Sequence, residues 1–276
     1  MTRILSLTLL LALSLPTLAA VLPKSSTVPG GVAIITLDSK STPRPEVRYN
    51  KRKIMVQANA TNWLAIVGIP LSAKAGEHSI SVSIGNKEHT KSFKVTDKAY
   101  ETQHLTIKNK RKVNPNKKDM ERIVKERKRI RNALKHWRNQ DDVIMELVPP
   151  VDGRMSSSFG LRRIFNDQPR RPHSGMDIAA TTGTPIIAPG PGTVIETGHF
   201  FFNGKSVFLD HGQGLVTMYG HMDSIAVEKG QVVETGTPLG TVGMTGRVTG
   251  PHLHWGISLN NARVDPALFV KQKGAQ

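Results

Sequence analysis

Hydrophobic and polar positions change their period along this chain. In the first third, short apolar runs alternate with polar residues. Residues 79–84 read Ser-Ile-Ser-Val-Ser-Ile, a strict period of two, and Gly85-Asn86 follows with turn chemistry. Comparable runs at 32–37, 53–58, 63–69, 78–84 and 90–95 predict short strands. A spacing of about 8–12 residues between strands suits a sandwich, so residues 20–97 are expected to form an immunoglobulin-like β-sandwich. Residues 98–148 read differently, as a basic linker carrying one amphipathic helix. An extended segment over 98–113 leads to Asn114, placed to cap a helix with Pro115 at its first position. Met120, Ile123, Val124, Ile130, Leu134 and Trp137 fall near one face, interrupted at Arg127, and His136 and Trp137 are assigned to the same helix. From residue 149 the helical period is gone. Apolar runs at 185–188, 192–196, 206–209, 215–219, 238–242 and 252–258 are punctuated by Gly, Pro and Asn. They predict an antiparallel β domain over 149–272, and the fold class is mainly β.

The N-terminus has a separate pattern. Arg3, an apolar run over 4–15 and Thr17-Leu18-Ala19 form the three parts of a secretory signal over residues 1–19. Export is therefore expected, with the periplasm as destination or else the extracellular space. No other stretch approaches a membrane-spanning length, so no stable transmembrane segment is expected after signal cleavage.

Composition narrows the chemistry. The chain has 276 residues and no cysteine, which excludes disulfides, thiolate metal sites, a cysteine nucleophile and lipid attachment through cysteine. Its net charge is +17, but the charge is local: residues 104–138 hold fourteen Lys and Arg against three Asp and Glu. Residues 139–276 hold eleven against twelve, so the last half is close to neutral. A basic linker on an exported protein is expected to favour an anionic envelope polymer. Nucleic acid is not expected, because the basic stretch lacks interleaved aromatic residues.

The neutral last half carries the reactive side chains. His252 and His254 are two apart in a strand-like run, so their imidazoles share a side. His173 and Asp177, four apart in an extended stretch, can also share one. His221 closes Tyr219-Gly-His. One carboxylate and four histidines suffice for three zinc ligands and two bases, and a catalytic zinc wants three protein ligands and an open position. The spacings alone do not say which residue does what. Ser156, Ser157 and Ser158 are placed as a groove wall, not as nucleophiles, because no separate Asp–His pair is left to activate one. His211, in the turn Asp210-His-Gly-Gln-Gly, is assigned a structural role.

Taken together, His173-Ser-Gly-Met-Asp177, Ala188-Pro-Gly-Pro-Gly-Thr-Val194, Tyr219-Gly-His221, Gly240-Thr-Val-Gly-Met-Thr-Gly246 and Thr249-Gly-Pro-His-Leu-His254 resemble the lysostaphin/LytM-type zinc metalloendopeptidases in order and approximate spacing. The N-terminal β region more loosely resembles the accessory domain ahead of the peptidase in some secreted members. The resemblance implies one Zn2+ held by His173, Asp177 and His254, with His221 and His252 as unligated catalytic histidines. It also implies a peptide bond in the stem peptides or cross-bridges of peptidoglycan as substrate. The simple secretory signal and the lack of a recognisable wall-binding domain make a D-alanyl–diaminopimelate cross-link the expected bond, with a glycine bridge as the other option. Two other readings remain in view. One is a noncatalytic wall-binding protein on the same scaffold that activates another hydrolase. The other is a secreted protease acting on proteins.

Overall fold

The computed structural model describes residues 21–270. The expected signal segment, and residues 271–272 at the end of the expected β domain, lie outside them. Seven strands build the N-terminal part: β1 (Val32–Ser39), β2 (Glu46–Tyr49), β3 (Arg52–Lys53), β4 (Met55–Ala58), β5 (Asn62–Gly68), β6 (Gly76–Ile84) and β7 (Lys87–Val95). They form two sheets, β1-β5-β4 and β3-β2-β6-β7, that enclose one core of residues such as Leu37, Val47, Val56, Val67, Ile80 and Val82. The alternating run at 79–84 behaves as its period requires. In β6 only Ile80 and Val82 are buried, and β6 turns into β7 through Gly85, whose φ of 57° suits a tight hairpin.

β1 and β5 are apolar on both sides for a different reason. Ala33, Ala65 and Val67 face the sandwich core, whereas Val32, Leu64 and Ile66 join the core of the C-terminal part. The sheet β1-β5-β4 is thus a middle layer, and the N-terminal part is packed into the molecule instead of tethered to it. Arg52 reinforces the seam by donating to the Asn261 carbonyl at 3.0 Å, and the Val56 amide donates to Gln213 Oε1 at 3.0 Å.

The linker contains β8 (Thr102–Leu105), a single turn α1 (Lys110–Val113) and α2 (Lys117–Leu134). Here the structure corrects the sequence reading. Asn114 ends α1, and the N-cap of α2 is Asn116, closed by a capping box with Asp119. Pro115 therefore precedes the cap. His136 and Trp137 lie beyond the helix, which stops at Leu134 with Lys135 as C-cap. Arg138 continues the chain to the sheet and donates through Nε to buried Asp210 at 2.8 Å. The apolar face is also narrower than expected: Ile123 and Ala133 are buried, while Met120 and Val124 stay exposed.

The C-terminal part begins with β9 (Arg154–Ser157), β10 (Arg162–Phe165), β11 (Gln168–Pro169), β12 (Met176–Ala179), β13 (Pro185–Ile187), β14 (Gly192–Phe200), β15 (Gly204–Gly212) and β16 (Leu215–Met222). It ends with β17 (Ser224–Ile225), β18 (Val232–Val233), β19 (Pro238–Thr241), β20 (Leu253–Leu259) and β21 (Ala262–Val264). An antiparallel sheet in the order β18-β14-β15-β16-β20-β12-β9, with β21 on β20, is its frame. β8 of the linker joins this part by pairing parallel with β10.

Strand alternation gives the large sheet two faces. Val207, Leu209, Leu215, Tyr219, Leu253, Trp255 and Ile257 point into the main core. Phe200, Phe208, Val216 and Met218 point the other way, where Ala133, Ile130 and Leu134 of α2 cover them. On that same outer face, β16, β20 and β12 carry polar residues in place of the apolar ones under α2.

Candidate metal centre and active site

Polar residues gather on this part of the face. Asp177 on β12 is the register partner of His254 on β20, and His254 is in turn the partner of Gly220 on β16. Met176 and Ile178 point into the core, so Asp177 points out; Leu253 and Trp255 do likewise for His254. His173 arrives from the loop before β12. His252 precedes β20 and bridges to Gly243, and His221 follows Gly220 on β16 with a left-handed φ of 64°. That backbone conformation is strained for a histidine, and its amide is pinned to the Asn203 carbonyl at 2.7 Å. All five residues expected at the site from the sequence are brought together.

Three of them form a tight triangle. Asp177 Oδ1 lies 2.9 Å from His173 Nε2 and 2.8 Å from His254 Nδ1, and the two nitrogens are 3.1 Å apart. His173, Asp177 and His254 are all buried, and they are the group of ligand atoms that could hold a metal ion among the described residues. The hydrogen-bond pattern supports a cation there. His173 Nδ1 donates to the Ser158 carbonyl at 2.7 Å, which leaves a lone pair on Nε2. That lone pair faces a carboxylate oxygen, so acceptor meets acceptor, an arrangement relieved by a positive centre between them. Two imidazole nitrogens and one carboxylate oxygen are a donor set that suits zinc.

Without a metal, burial would raise the Asp177 carboxyl, but hydrogen bonds from the His173 and His254 rings outweigh it and hold the carboxyl well below the usual carboxylate range; a bound cation would take the place of those ring protons. Burial pushes His254 down to about 4 against the pull of Asp177, so it is a neutral, ligand-ready imidazole at physiological pH.

The two remaining histidines share one design. His221 Nδ1 donates to the Thr245 carbonyl at 2.8 Å, and His252 Nδ1 donates to the Gly250 carbonyl at 2.8 Å. In its neutral form each ring therefore keeps its lone pair on Nε2. Their centroids are 4.9 Å apart, and His252 Nε2 is 3.9 Å from Asp177 Oδ1. Burial first, then the neighbouring His252 and His254, hold the His221 imidazole far below its ordinary value.

Two further residues shape the site, and the first, Arg163, gave no signal in the sequence. Arg163 on β10 donates to Asp177 Oδ2 at 2.7 Å and to Ser157 Oγ at 3.1 Å. It fixes the oxygen of Asp177 that faces away from the triangle, the role that outer partners play at metal sites. A lone arginine in a short strand pairs anywhere, so only the fold reveals this. Gly175 is the second. A Cβ there would lie 2.8 Å from His254 Cε1 and 2.5 Å from the Trp255 carbonyl, so a side chain would push the ligand aside. Ser157, one of the three serines expected to wall a groove, is buried and lies against His173 Nδ1 at 3.4 Å. His211 is structural as expected: buried, it donates to the Pro191 carbonyl at 2.7 Å and accepts from Thr217 Oγ1 at 2.8 Å.

Comparison with known proteins gives a consistent picture. Residues 171–266 match Peptidase family M23, and residues 25–98 match the Peptidase family M23 N-terminal domain. A Pseudomonas aeruginosa crystal structure described as a peptidase M23 is 40% identical, superposes with a TM-score of 0.75, and covers 89% of this chain and 95% of its own. Peptidoglycan DD-endopeptidase ShyA of Vibrio cholerae is 44% identical over 109 residues, which is 38% of this chain and 25% of that protein. DD-carboxypeptidase/endopeptidase Mpg of Neisseria meningitidis is 38% identical over 120 residues, or 44% of this chain and 28% of that protein. The chain thus spans about a quarter of the length of these curated relatives, over the region that holds the site.

Proposed function

This chain belongs to peptidase family M23, a zinc metallopeptidase family, and on that premise we propose that it hydrolyses peptide cross-links of peptidoglycan. The observation that carries the reading is the buried triangle of His173, Asp177 and His254, with the lone pairs of His221 and His252 beside it. The relatives named as peptidoglycan DD-endopeptidases supply the substrate class, and the D-alanyl–diaminopimelate bond is the bond we assign.

His173 Nε2, Asp177 Oδ1 and His254 Nδ1 would hold one zinc ion. Bound zinc supplies Lewis acidity: it lowers the pKa of water and polarises the scissile carbonyl. The chain's own residues do the rest. His221 is kept neutral by burial and donates its Nδ1 proton to Thr245, so its Nε2 can only accept. It holds an O–H of the attacking water and orients the oxygen towards the peptide carbon. His252 is the more exposed of the two, and its Nε2 takes the proton that the water gives up. As an imidazolium it then donates that proton to the leaving amine, so no proton is left unaccounted for. Arg163 keeps Asp177 from rotating while this happens.

Retention of all five site residues favours an enzyme over the noncatalytic activator. Export to the periplasm and attraction of the basic linker to anionic envelope polymer belong to the same proposal. The linker's fifteen basic residues support the second point. Among the described residues no helix is long and apolar enough to cross a membrane.

The test uses the chain loaded with zinc and incubated with purified sacculi, with fragments identified by mass spectrometry. Conversion of cross-linked dimers to monomers is expected, abolished by chelator and by His252→Ala. Zinc bound without any cleavage of sacculi would sink the peptidoglycan reading. Cleavage of a protein substrate alone would favour a protease of proteins.

A further inference from the structure

Arg247 is a guanidinium without a carboxylate. Its Cζ lies 4.7 Å from the Phe165 ring centroid and 4.4 Å from that of Phe202. Stacking on rings uses the flat faces of a guanidinium and leaves its in-plane N–H groups free to donate. The hydrogen bond they make is a long one, from Nη1 to the Lys112 carbonyl at 3.5 Å. Among the described residues no Asp or Glu forms an ion pair with it. The residue is half-buried, with part of its surface left to solvent.

Its position ties it to the catalytic groups from two directions. Phe165 is two residues beyond Arg163 on β10, and strand alternation puts them on one side. Arg163 holds Asp177. On its own segment, Arg247 is two residues beyond Thr245, whose carbonyl orients His221, and its amide is anchored to the Phe202 carbonyl at 2.9 Å. Arg247 therefore stands where the segment orienting His221 meets the strand supporting the metal ligands.

We propose that Arg247 is a substrate-binding residue that receives a carboxylate of the peptide on one side of the scissile bond. The proposal rests on the peptidoglycan reading above, and it narrows the substrate to stem peptides with a free acid near the cleaved bond. A diaminopimelyl residue carries such a group, whereas a glycine bridge does not. Contact with two rings holds the guanidinium in place in advance, which lowers the ordering cost of gripping a carboxylate. The local field points the same way: burial first, then Arg163 and Arg170, push Arg247 down to about 10. Of these arginines Arg163 is paired with Asp177, whereas Arg247 has no carboxylate, and a substrate anion would balance its charge.

The experiment compares two purified peptidoglycan dimers, one with the free diaminopimelyl carboxylate beside the cross-link and one with it amidated. Wild type, Arg247→Lys and Arg247→Gln are assayed for KM and kcat, with zinc content and melting temperature measured on each. Wild type is expected to favour the free acid by about tenfold or more in kcat/KM, most of it in KM. Arg247→Gln should lose that preference while keeping its zinc, and Arg247→Lys should keep part of it. Equal losses on both dimers in Arg247→Gln would make Arg247 a structural clamp and overturn the proposal. Equal use of both dimers by wild type would overturn it as well. Cleavage of neither dimer by zinc-loaded wild type would overturn the peptidoglycan reading, and this inference with it.

Discussion

The outer face of the large sheet has two halves with opposite chemistry. Over β14, β15 and β16 it is apolar, with Phe200, Phe208, Val216 and Met218 sealed by α2. Over β16, β20 and β12 it is polar, with His254 and Asp177 at neighbouring register positions and His173, His221 and His252 leaning in from loops. The first half gains stability from burial. The second gathers buried polar groups whose desolvation is offset only by one another and by a cation. The same strand, β16, serves both: Met218 packs under the helix, and two positions on Gly220 lies flat beside His254. Stability and chemistry are thus divided along one face, and each half can be perturbed with little expected effect on the other.

The largest expected effect is on the polar half alone. His254→Ala should abolish zinc binding and lower endopeptidase activity by at least about a thousandfold, with the melting transition preserved. Metal analysis and a calorimetric scan on the same sample check it, and normal cleavage by this variant would remove His254 from the ligand set. Next comes the apolar half. Phe208 is fully buried, and Phe208→Ala should cost about 3–5 kcal/mol of stability while zinc affinity at low temperature stays near wild type. Urea unfolding with a parallel zinc titration tests this, and a large fall in affinity would show that the halves are coupled.

A smaller effect is expected at the support of the polar half. Arg163→Met leaves Asp177 Oδ2 without its donor, and zinc affinity should fall about 10–100-fold in competition with a chromogenic chelator. An unchanged affinity would mean that Asp177 needs no outer partner. The smallest effect is a pH dependence in the closed part of the sheet. Burial holds the His211 imidazole below its ordinary value, so the folded state resists its protonation while the unfolded chain takes up a proton below about pH 6.5. The stability that His211 contributes is therefore present above that pH and lost as pH falls. Melting temperature should decline on the acid side, with a shallower slope in His211→Gln. An identical slope would place the acid sensitivity elsewhere.

Much of this arrangement was legible in the chain, for physical reasons that differ from place to place. The hairpin at 76–95 was readable because one face of it meets water, so period two survives in the sequence. β1 and β5 gave strand runs but no face, because packing on both sides erases the alternation. The helix was visible, but its ends were misplaced. Asn114 and Asn116 are equally good caps on paper, and only the return of Asp119 to the Asn116 backbone chooses between them. His252 and His254 were placed on one side by parity, and the structure brings both towards Asp177.

By itself the sequence determined the β-rich character, the absence of thiol chemistry and the basic linker, which follow from composition and period. The five candidate site residues came from the order of motifs that resemble the family, and the fold brings them together. Tertiary structure alone decided that the N-terminal sheet is a middle layer, that α2 seals half of one face, that Arg163 grips Asp177 and that Arg247 stands without a carboxylate. Each of these is a contact between segments far apart in the chain. Its energy depends on which neighbours the fold supplies, and local sequence carries no record of that.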